Sequence, residues 1–195
     1  MSQPVLRTER LLMLPLADEH FELEVELDSD AEVLRYLWGR ARTRDEVVSS
    51  HAERMELGRQ VDGLGYWMAF LHDGENSSAA GEFVGLMMLP PDHADGRDCD
   101  PGDAALGYRI MRKHWRRGYA SEASAELLRH AFEGVGVAKV VADTMAVNTG
   151  SRAVMEKVGM RYARTYFVDF DFPLPGAEQG EVLYEITRKD WLRGA

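Results

Sequence analysis

A strand, a helix and a second strand follow one another between residues 104 and 145, and this pattern constrains the fold more than any other part of the chain. The first strand is "AALGYRIM" (104–111), a helical pattern runs from about Gly118 to Phe132, and the second strand is "AKVVADTM" (138–145). Strands joined in this way lie parallel, with a right-handed crossover. The sequence therefore predicts a βαβ unit.

Hydrophobic periodicity and turn residues predict the elements on either side of this unit. Strands are expected at 5–16, 66–74, 81–89, 160–172 and 180–191, and helices at 17–38, 43–60 and 149–159. Thr43 and Glu46 have the spacing of a capping box at the start of the 43–60 helix. The Asp-rich stretch 90–103 lacks the residue order of a calcium loop, so we expect a solvated loop there and no metal site.

Composition excludes several classes of protein. A chain of 195 residues with 45% hydrophobic residues suits one domain with a real core. The net charge of −10 argues against nucleic acid as the main partner, and it suits either solubility alone or a cationic substrate. The chain has a single cysteine, Cys99, no membrane-length apolar run and no signal-peptide core. A soluble protein of the reducing cytoplasm is therefore expected.

Positive charge is concentrated at the junction between the first strand and the helix of the βαβ unit. Five of the 23 basic residues fall within nine positions, and they are Arg109, Arg112, Lys113, Arg116 and Arg117. Unpaired backbone N–H groups and the helix dipole make a helix start an anion site. The small residues Gly118 and Ala120 let a phosphate approach residues 116–121, and Ser121 adds a hydroxyl donor. A solvated basic patch with an N-cap is the alternative interpretation.

The motif fits neither of the common phosphate loops, because no GK[ST] follows it and GxGxxG is absent. It does resemble a third pattern. "YRIMRKHWRRGYASEASAELLRHAF" followed by "VADTMAVNTGSRAVMEKVGM" is similar to the GNAT superfamily of acetyl-CoA-dependent N-acetyltransferases, and more narrowly to its RimJ/RimL branch. The matching positions are Gly107, Tyr108, Trp115, Arg117, Gly118, Tyr119, Ala120, Glu122, Ala123, Asn148, Ser151, Val154, Glu156, Lys157 and Gly159.

The resemblance implies a fold and a cofactor site. The fold is a mixed α/β GNAT fold, with a single central, mostly antiparallel sheet of about seven strands, one splayed parallel pair and flanking helices. Acetyl-CoA would place its pyrophosphate on the backbone of the loop, and its pantetheine arm would run between the splayed strands. The implied cofactor-binding residues are Ile110, Met111, Arg116, Arg117, Gly118, Tyr119, Ala120, Ser121, Asn148 and Ser151. Trp115 departs from the Gln or Arg that most of the superfamily has.

Acetyl transfer also needs groups that move protons. Ser151 is the candidate donor to the leaving thiolate, although Asn148 and Ser151 also suit a helix N-cap and first turn. Many relatives carry a glutamate where this chain has Ala105. Asp103, Glu82 or a water relay are therefore the candidates for the general base.

The acceptor is left open by the sequence. It is a protein N-terminal α-amine, as the RimL resemblance implies, or a small-molecule amine. The acidic residues of the closing hairpin favour a cationic acceptor, and they are Asp169, Asp171, Glu178, Glu181 and Glu185. A CoA-binding sensor without transferase activity is the main alternative, and a nucleic-acid binder is the weakest one. The resemblance also implies a possible homodimer.

Overall fold

The computed structural model describes residues 3–72, 80–92, 102–168 and 173–194. Within them lie nine strands: β1 (Leu6–Arg7), β2 (Leu11–Pro15), β3 (Gly65–Leu71), β4 (Phe83–Leu89), β5 (Ala104–Ala105), β6 (Gly107–Ile110), β7 (Lys139–Met145), β8 (Arg161–Tyr166) and β9 (Glu181–Thr187). The helices are α1 (Phe21–Asp28), α2 (Arg44–Gln60), α3 (Tyr119–Arg129), α4 (Thr149–Lys157) and α5 (Arg188–Gly194). None of the described helices has the length and apolar composition that a membrane span needs.

The strands form two hydrogen-bonded sheets that meet at one stretch of chain. Their orders are β1-β2-β3-β4-β6 and β5-β7-β9-β8. β5 and β6 are consecutive segments separated only at Leu106. β5 pairs with β7 in parallel, and the other ladders are antiparallel. The predicted fold class is confirmed, but the expected single central sheet is divided into two sheets where the parallel pair separates.

Hydrophobic side chains pack on both faces of the sheets. The larger cluster joins the strands to α3 through residues such as Tyr119, Leu127 and Leu128. The smaller cluster, which includes Leu27 and Met68, joins them to α1 and α2. The space between the separating strands is therefore bordered by helices on each side of the sheet.

Two helices differ from the sequence-based expectation, and side-chain hydrogen bonds explain both. The helix expected at 17–38 ends at Asp28, and Asp30 accepts from the N–H of Glu32 (3.0 Å), a local bond that competes with helix continuation. The last expected strand ends at Thr187 because its hydroxyl accepts from the N–H of Asp190 (3.1 Å) and caps α5. The capping box of Thr43 at α2 is confirmed.

A candidate active site between the separating strands

A cavity of about 620 Å³ opens where β6 and β7 move apart. The parallel ladder ends with the bond from the N–H of Leu106 to the carbonyl of Val141 (2.7 Å). Beyond that point both strands line the cavity, together with the start of α3, the start of α4 and part of the segment 32–37. A long ligand can therefore lie along the strand edges between the two helix starts.

The ladder between β4 and β6 decides which backbone groups face the cavity. The N–H of Met111 donates to the carbonyl of Val84 (2.9 Å), so it is committed to β4. Because an antiparallel ladder uses alternate residues, Tyr108 and Ile110 present their N–H groups to the cavity. The Met111 N–H is therefore not available for the predicted pairing with a ligand, whereas the N–H groups of Ile110 and Tyr108 are.

Trp115 occupies the position at which the sequence departs from the superfamily pattern. Its indole N–H donates to the carbonyl of Ile110 (2.7 Å). The side chain thereby holds the loop against the end of β6. This contact explains how a tryptophan serves the position, since it fixes the strand-to-loop turn.

The loop before α3 has the conformation of an anion-binding turn. Arg116 has a φ of 59° and Gly118 a φ of 84°, and no side chain caps α3. The first N–H groups of a helix have no intrahelical partner, and a turn that contains left-handed residues can direct backbone N–H groups toward one side. The cavity is lined here by Arg116, Gly118, Tyr119, Ala120 and Ser121. These residues fit a diphosphate.

Arg117 has a different place from the other predicted loop residues. It is not among the residues that line the cavity, and its carbonyl accepts from Nη1 of Arg10 (3.0 Å). Its backbone is thus tied to the turn between β1 and β2.

Glu122 in the first turns of α3 joins this helix to the first strands. Its carboxylate accepts from the Thr8 hydroxyl (2.5 Å), the Arg10 N–H (2.9 Å) and Arg10 Nε (2.7 Å). Burial acts to raise the pKa of Glu122, but these hydrogen bonds outweigh it and hold the pKa below its usual range. The contact network keeps the loop and α3 in register with the sheet.

We expect Glu122→Gln to lower the free energy of unfolding by about 1–2 kcal/mol at neutral pH, because a charged acceptor of three hydrogen bonds is lost. A carboxylate with a lowered pKa stabilises the fold above its unfolded pKa of about 4.3 and loses this effect as the pH falls through the folded value. Denaturant unfolding at neutral and acid pH measures both effects. Glu126→Gln, which removes a pairing with Arg129 within the helix, is the control. A loss no larger than that of the control would contradict the assignment.

Asn148 and Ser151 lie together at the start of α4. The Asn148 Oδ1 accepts from the N–H of Ser151 (3.2 Å), and its Nδ2 donates to Thr144 Oγ1 (2.9 Å). Asn148 is therefore the N-cap of α4. Both residues also line the cavity, so capping and ligand contact are compatible in this geometry.

Tyr108 is a cavity residue that the sequence-based site did not include. Its hydroxyl donates to the Ser151 carbonyl (3.0 Å) and lies 2.9 Å from Ser151 Oγ. Burial raises the pKa of Tyr108 to about 12, so the hydroxyl keeps its proton at neutral pH. The signal was present in the "GY" pair of the motif, but only the fold shows that the side chain reaches α4.

Neither candidate base lines the cavity. Asp103 is buried before β5 and pairs with Nζ of Lys139 (2.9 Å). Glu82 is exposed and pairs with Nζ of Lys113 (2.8 Å), whose hydrogen bond lowers the pKa of Glu82. Both carboxylates are held in ion pairs away from the strand edges, so the geometry does not support the predicted role of either.

Two further carboxylates interact with each other on the sheet that contains β7, β9 and β8, and the first of them, Asp143, borders the cavity. Asp143 lines the cavity, and its Oδ2 accepts from the Tyr166 hydroxyl (2.8 Å). Tyr166 is the cross-strand partner of Glu181, and burial together with the charge of Asp143 raises the pKa of Glu181. Of the predicted acidic residues, Asp169 and Asp171 lie outside the described residues.

The family model for an acetyltransferase (GNAT) domain matches residues 10–161. The chain belongs to the GNAT family. This GNAT chain is 40% identical over 195 residues to the FsC-acetyl coenzyme A-N(2)-transacetylase of Aspergillus fumigatus, and the match covers 98% of this chain and 80% of the relative. The family and this relative make the chain an N-acetyltransferase that uses acetyl-CoA.

Solved structures of low identity share the fold. The spermidine N-acetyltransferase of Vibrio cholerae, in complex with CoA and spermine, superposes with a TM-score of 0.71 at 14% identity, covering 93% of this chain and 98% of that one. RimL, an alpha-N-protein acetyltransferase of ribosomal L7/L12, gives a TM-score of 0.69 at 15% identity, with coverages of 94% and 98%. At such identities the similarity supports the fold and leaves the acceptor open.

Proposed function

We propose that this GNAT enzyme transfers the acetyl group of acetyl-CoA to the N(2) amine of a small-molecule acceptor, by direct attack in a ternary complex within the cavity. The observation that carries the proposal is the continuous cavity from the uncapped start of α3 to Ser151 at the start of α4. The name of the Aspergillus relative supports an N(2) amine rather than the protein N-terminus that the RimL resemblance implies.

The residues of the cavity suit the steps of this transfer. Attack of the neutral amine on the thioester carbonyl forms the C–N bond, and the C–S bond breaks. The strand-edge N–H groups of Tyr108 and Ile110 are donors for the oxyanion. The Ser151 hydroxyl lies 2.9 Å from that of Tyr108. It supplies the proton to the thiolate, and solvent restores this proton. Holding the two substrates together in one cavity lowers the entropic part of the activation barrier.

Thiol release from acetyl-CoA, measured with a panel of amines, tests the proposed function. The panel contains FsC, which is the acceptor in the name of the Aspergillus relative, together with spermidine and a peptide with a free N-terminus. We expect release with FsC and mass-spectrometric detection of its N(2)-acetylated product. Release with the peptide alone would favour the RimL-like alternative. Tight CoA binding without release for any amine would favour a CoA-binding sensor.

The carboxylates beside β7 are proposed to bind the ammonium form of the acceptor and to receive its proton. Asp143 lines the cavity. Glu181 does not itself line it, but burial and the charge of Asp143 raise its pKa, which makes its carboxylate a stronger base than an ordinary glutamate. The placement of Glu181 on the closing hairpin is consistent with the acidic patch noted in the sequence. This assignment replaces Asp103 and Glu82 as the general base.

We expect Glu181→Gln to raise the acceptor KM by about 10-fold, as the loss of one charge-assisted contact would. Because the pKa of Glu181 is raised, the wild-type kcat/KM should fall as the pH drops through that value, and the variant should lack this acidic limb. Glu185→Gln, four residues further along the same face of β9, is the control. A pH profile of kcat/KM that is the same in both variants would refute the role.

A further inference from the structure

Arg109 is a buried cation at the cavity that neither the motif nor the proposed chemistry uses. On β6 it alternates with Tyr108 and Ile110, which pack toward the α3 cluster, so its side chain lies on the α1 face of the sheet. Its side chain is 5% exposed, and Arg109 is among the residues that line the cavity. Burial is the main cause that lowers the pKa of Arg109 to about 10, which leaves it charged at neutral pH.

One carboxylate, that of Asp28, accepts hydrogen bonds from two guanidinium groups. Nη1 of Arg109 donates to Oδ1 of Asp28 at the end of α1, and Nη1 of Arg42 donates to Oδ2 of the same residue (3.2 Å). Asp28 is fully buried. Among the described residues, Asp28 is the one carboxylate that pairs with Arg109 and the one side chain to which its guanidinium donates.

The surrounding buried charges do not compensate this second cation. The neighbouring carboxylate, Glu24, is fully buried, and it accepts from Arg54 and contacts His51. Three arginines therefore share two fully buried carboxylates at this face of the sheet. A buried charge is costly unless it is paired. Of the three arginines, Arg109 is the one that lines the cavity, where a ligand can supply a further anion.

The opposite strand carries negative charge on the same face. Asp143 on β7 alternates with Val140 and Ala142 of the α3 cluster, so it also points toward the α1 face. The cavity is thus lined by a cation from β6 and an anion from β7. These two charges are opposite in sign to the carboxylate and the ammonium group of a zwitterion.

We propose that Arg109 binds a carboxylate adjacent to the acceptor amine, so that the acceptor is an α-amino acid or a compound that contains one. The inference deepens the proposed function and depends on it. Asp28 acts as a positioning residue that holds the guanidinium, leaving its remaining N–H groups for the ligand. Transfer to amines that lack the carboxylate proceeds without this contact.

The test compares matched acceptors that differ only in the carboxylate: phenylalanine against 2-phenylethylamine, and leucine against 3-methylbutylamine. For the wild-type protein we expect kcat/KM, measured by thiol release, to favour the amino acids. Arg109→Met should reduce kcat/KM for the amino acids by roughly 10- to 100-fold and leave the decarboxylated amines within about 3-fold. Arg109→Lys, which keeps the charge but not the planar fork, should give an intermediate loss.

Arg42→Met is the matched control, because it removes the other partner of Asp28 and is not among the cavity-lining residues. An equal loss for both acceptor classes in Arg109→Met, a wild-type preference for the decarboxylated amines, or the same selective loss in Arg42→Met would overturn the proposal.

Binding separates this proposal from the proposed function. If no amine releases thiol, the proposed transfer fails, and calorimetry of the CoA-loaded protein with N-acetylphenylalanine still reports on the carboxylate site. Binding that disappears in Arg109→Met and persists in Arg42→Met supports the site. If the wild-type protein shows neither binding of this ligand nor a preference for the amino acids, the site does not exist.

Discussion

Gly118→Ala should weaken CoA binding by about 30-fold or more, which corresponds to roughly 2 kcal/mol. Gly118 has a φ of 84° immediately before α3, and it lines the cavity at the proposed diphosphate site. A Cβ there stands between the ligand and the backbone N–H groups of the first turn. Calorimetry with CoA measures the effect.

The chain offers a matched control for this substitution. Gly136 has a φ of 85°, and a Cβ added to it meets nothing within 4 Å. At Gly118 the nearest atom is Arg10 Nη2 at 3.5 Å, an ordinary contact. Both alanine variants should therefore lose a similar free energy of unfolding, about 1–2 kcal/mol, because alanine disfavours the left-handed backbone conformation. Only Gly118→Ala should lose CoA affinity. Equal CoA affinities for the two variants would show that the diphosphate does not bind at this loop.

Ser151→Ala should reduce kcat by about 100-fold and leave the Kd for CoA nearly unchanged, because proton donation to the thiolate matters only during the reaction. Tyr108→Phe should cause a smaller loss of about 10-fold, since Ser151 remains but loses its hydrogen-bonding partner. Stopped-flow measurement of thiol release, with saturating acetyl-CoA and acceptor, gives kcat for each variant.

Ser124→Ala is the control for Ser151→Ala. Ser124 is fully buried in α3, its hydroxyl has no partner among the described residues, and it is not a cavity-lining residue. Its kcat should equal that of the wild-type protein. A Ser151→Ala enzyme with wild-type kcat would assign proton donation to another group, and a parallel rise in the Kd for CoA would make Ser151 a binding residue instead.

The sequence predicts those features of the fold that local interactions decide. The capping box of Thr43 and Glu46 determines where α2 begins. The βαβ pattern predicts the parallel pairing of β5 and β7. The end of α1 was not predictable from periodicity, because apolar residues continue at helical spacing to Leu37. The helix ends where Asp28 is buried against a residue of β6, more than 80 positions further along the chain.

The same distinction between local and long-range interactions applies to the candidate site. The loop with Gly118, Tyr119 and Ala120 is recognisable in the sequence because one local turn forms it. Only the register of β4 against β6 shows that the Met111 N–H is bonded to β4 and is not available to a ligand. Likewise, Asp103 is a reasonable base until the fold shows its ion pair with Lys139. Long-range pairing decides these points, and a single sequence does not contain it.

Hydrogen–deuterium exchange with and without saturating CoA tests the central claim most directly. Backbone N–H groups that bind a diphosphate exchange more slowly. The account predicts that CoA protects residues 116–121 and the strand edge at Tyr108 and Ile110, and that Gly118→Ala loses the protection of the loop while Gly136→Ala keeps it. Unchanged exchange of this loop in protein saturated with CoA would contradict the account.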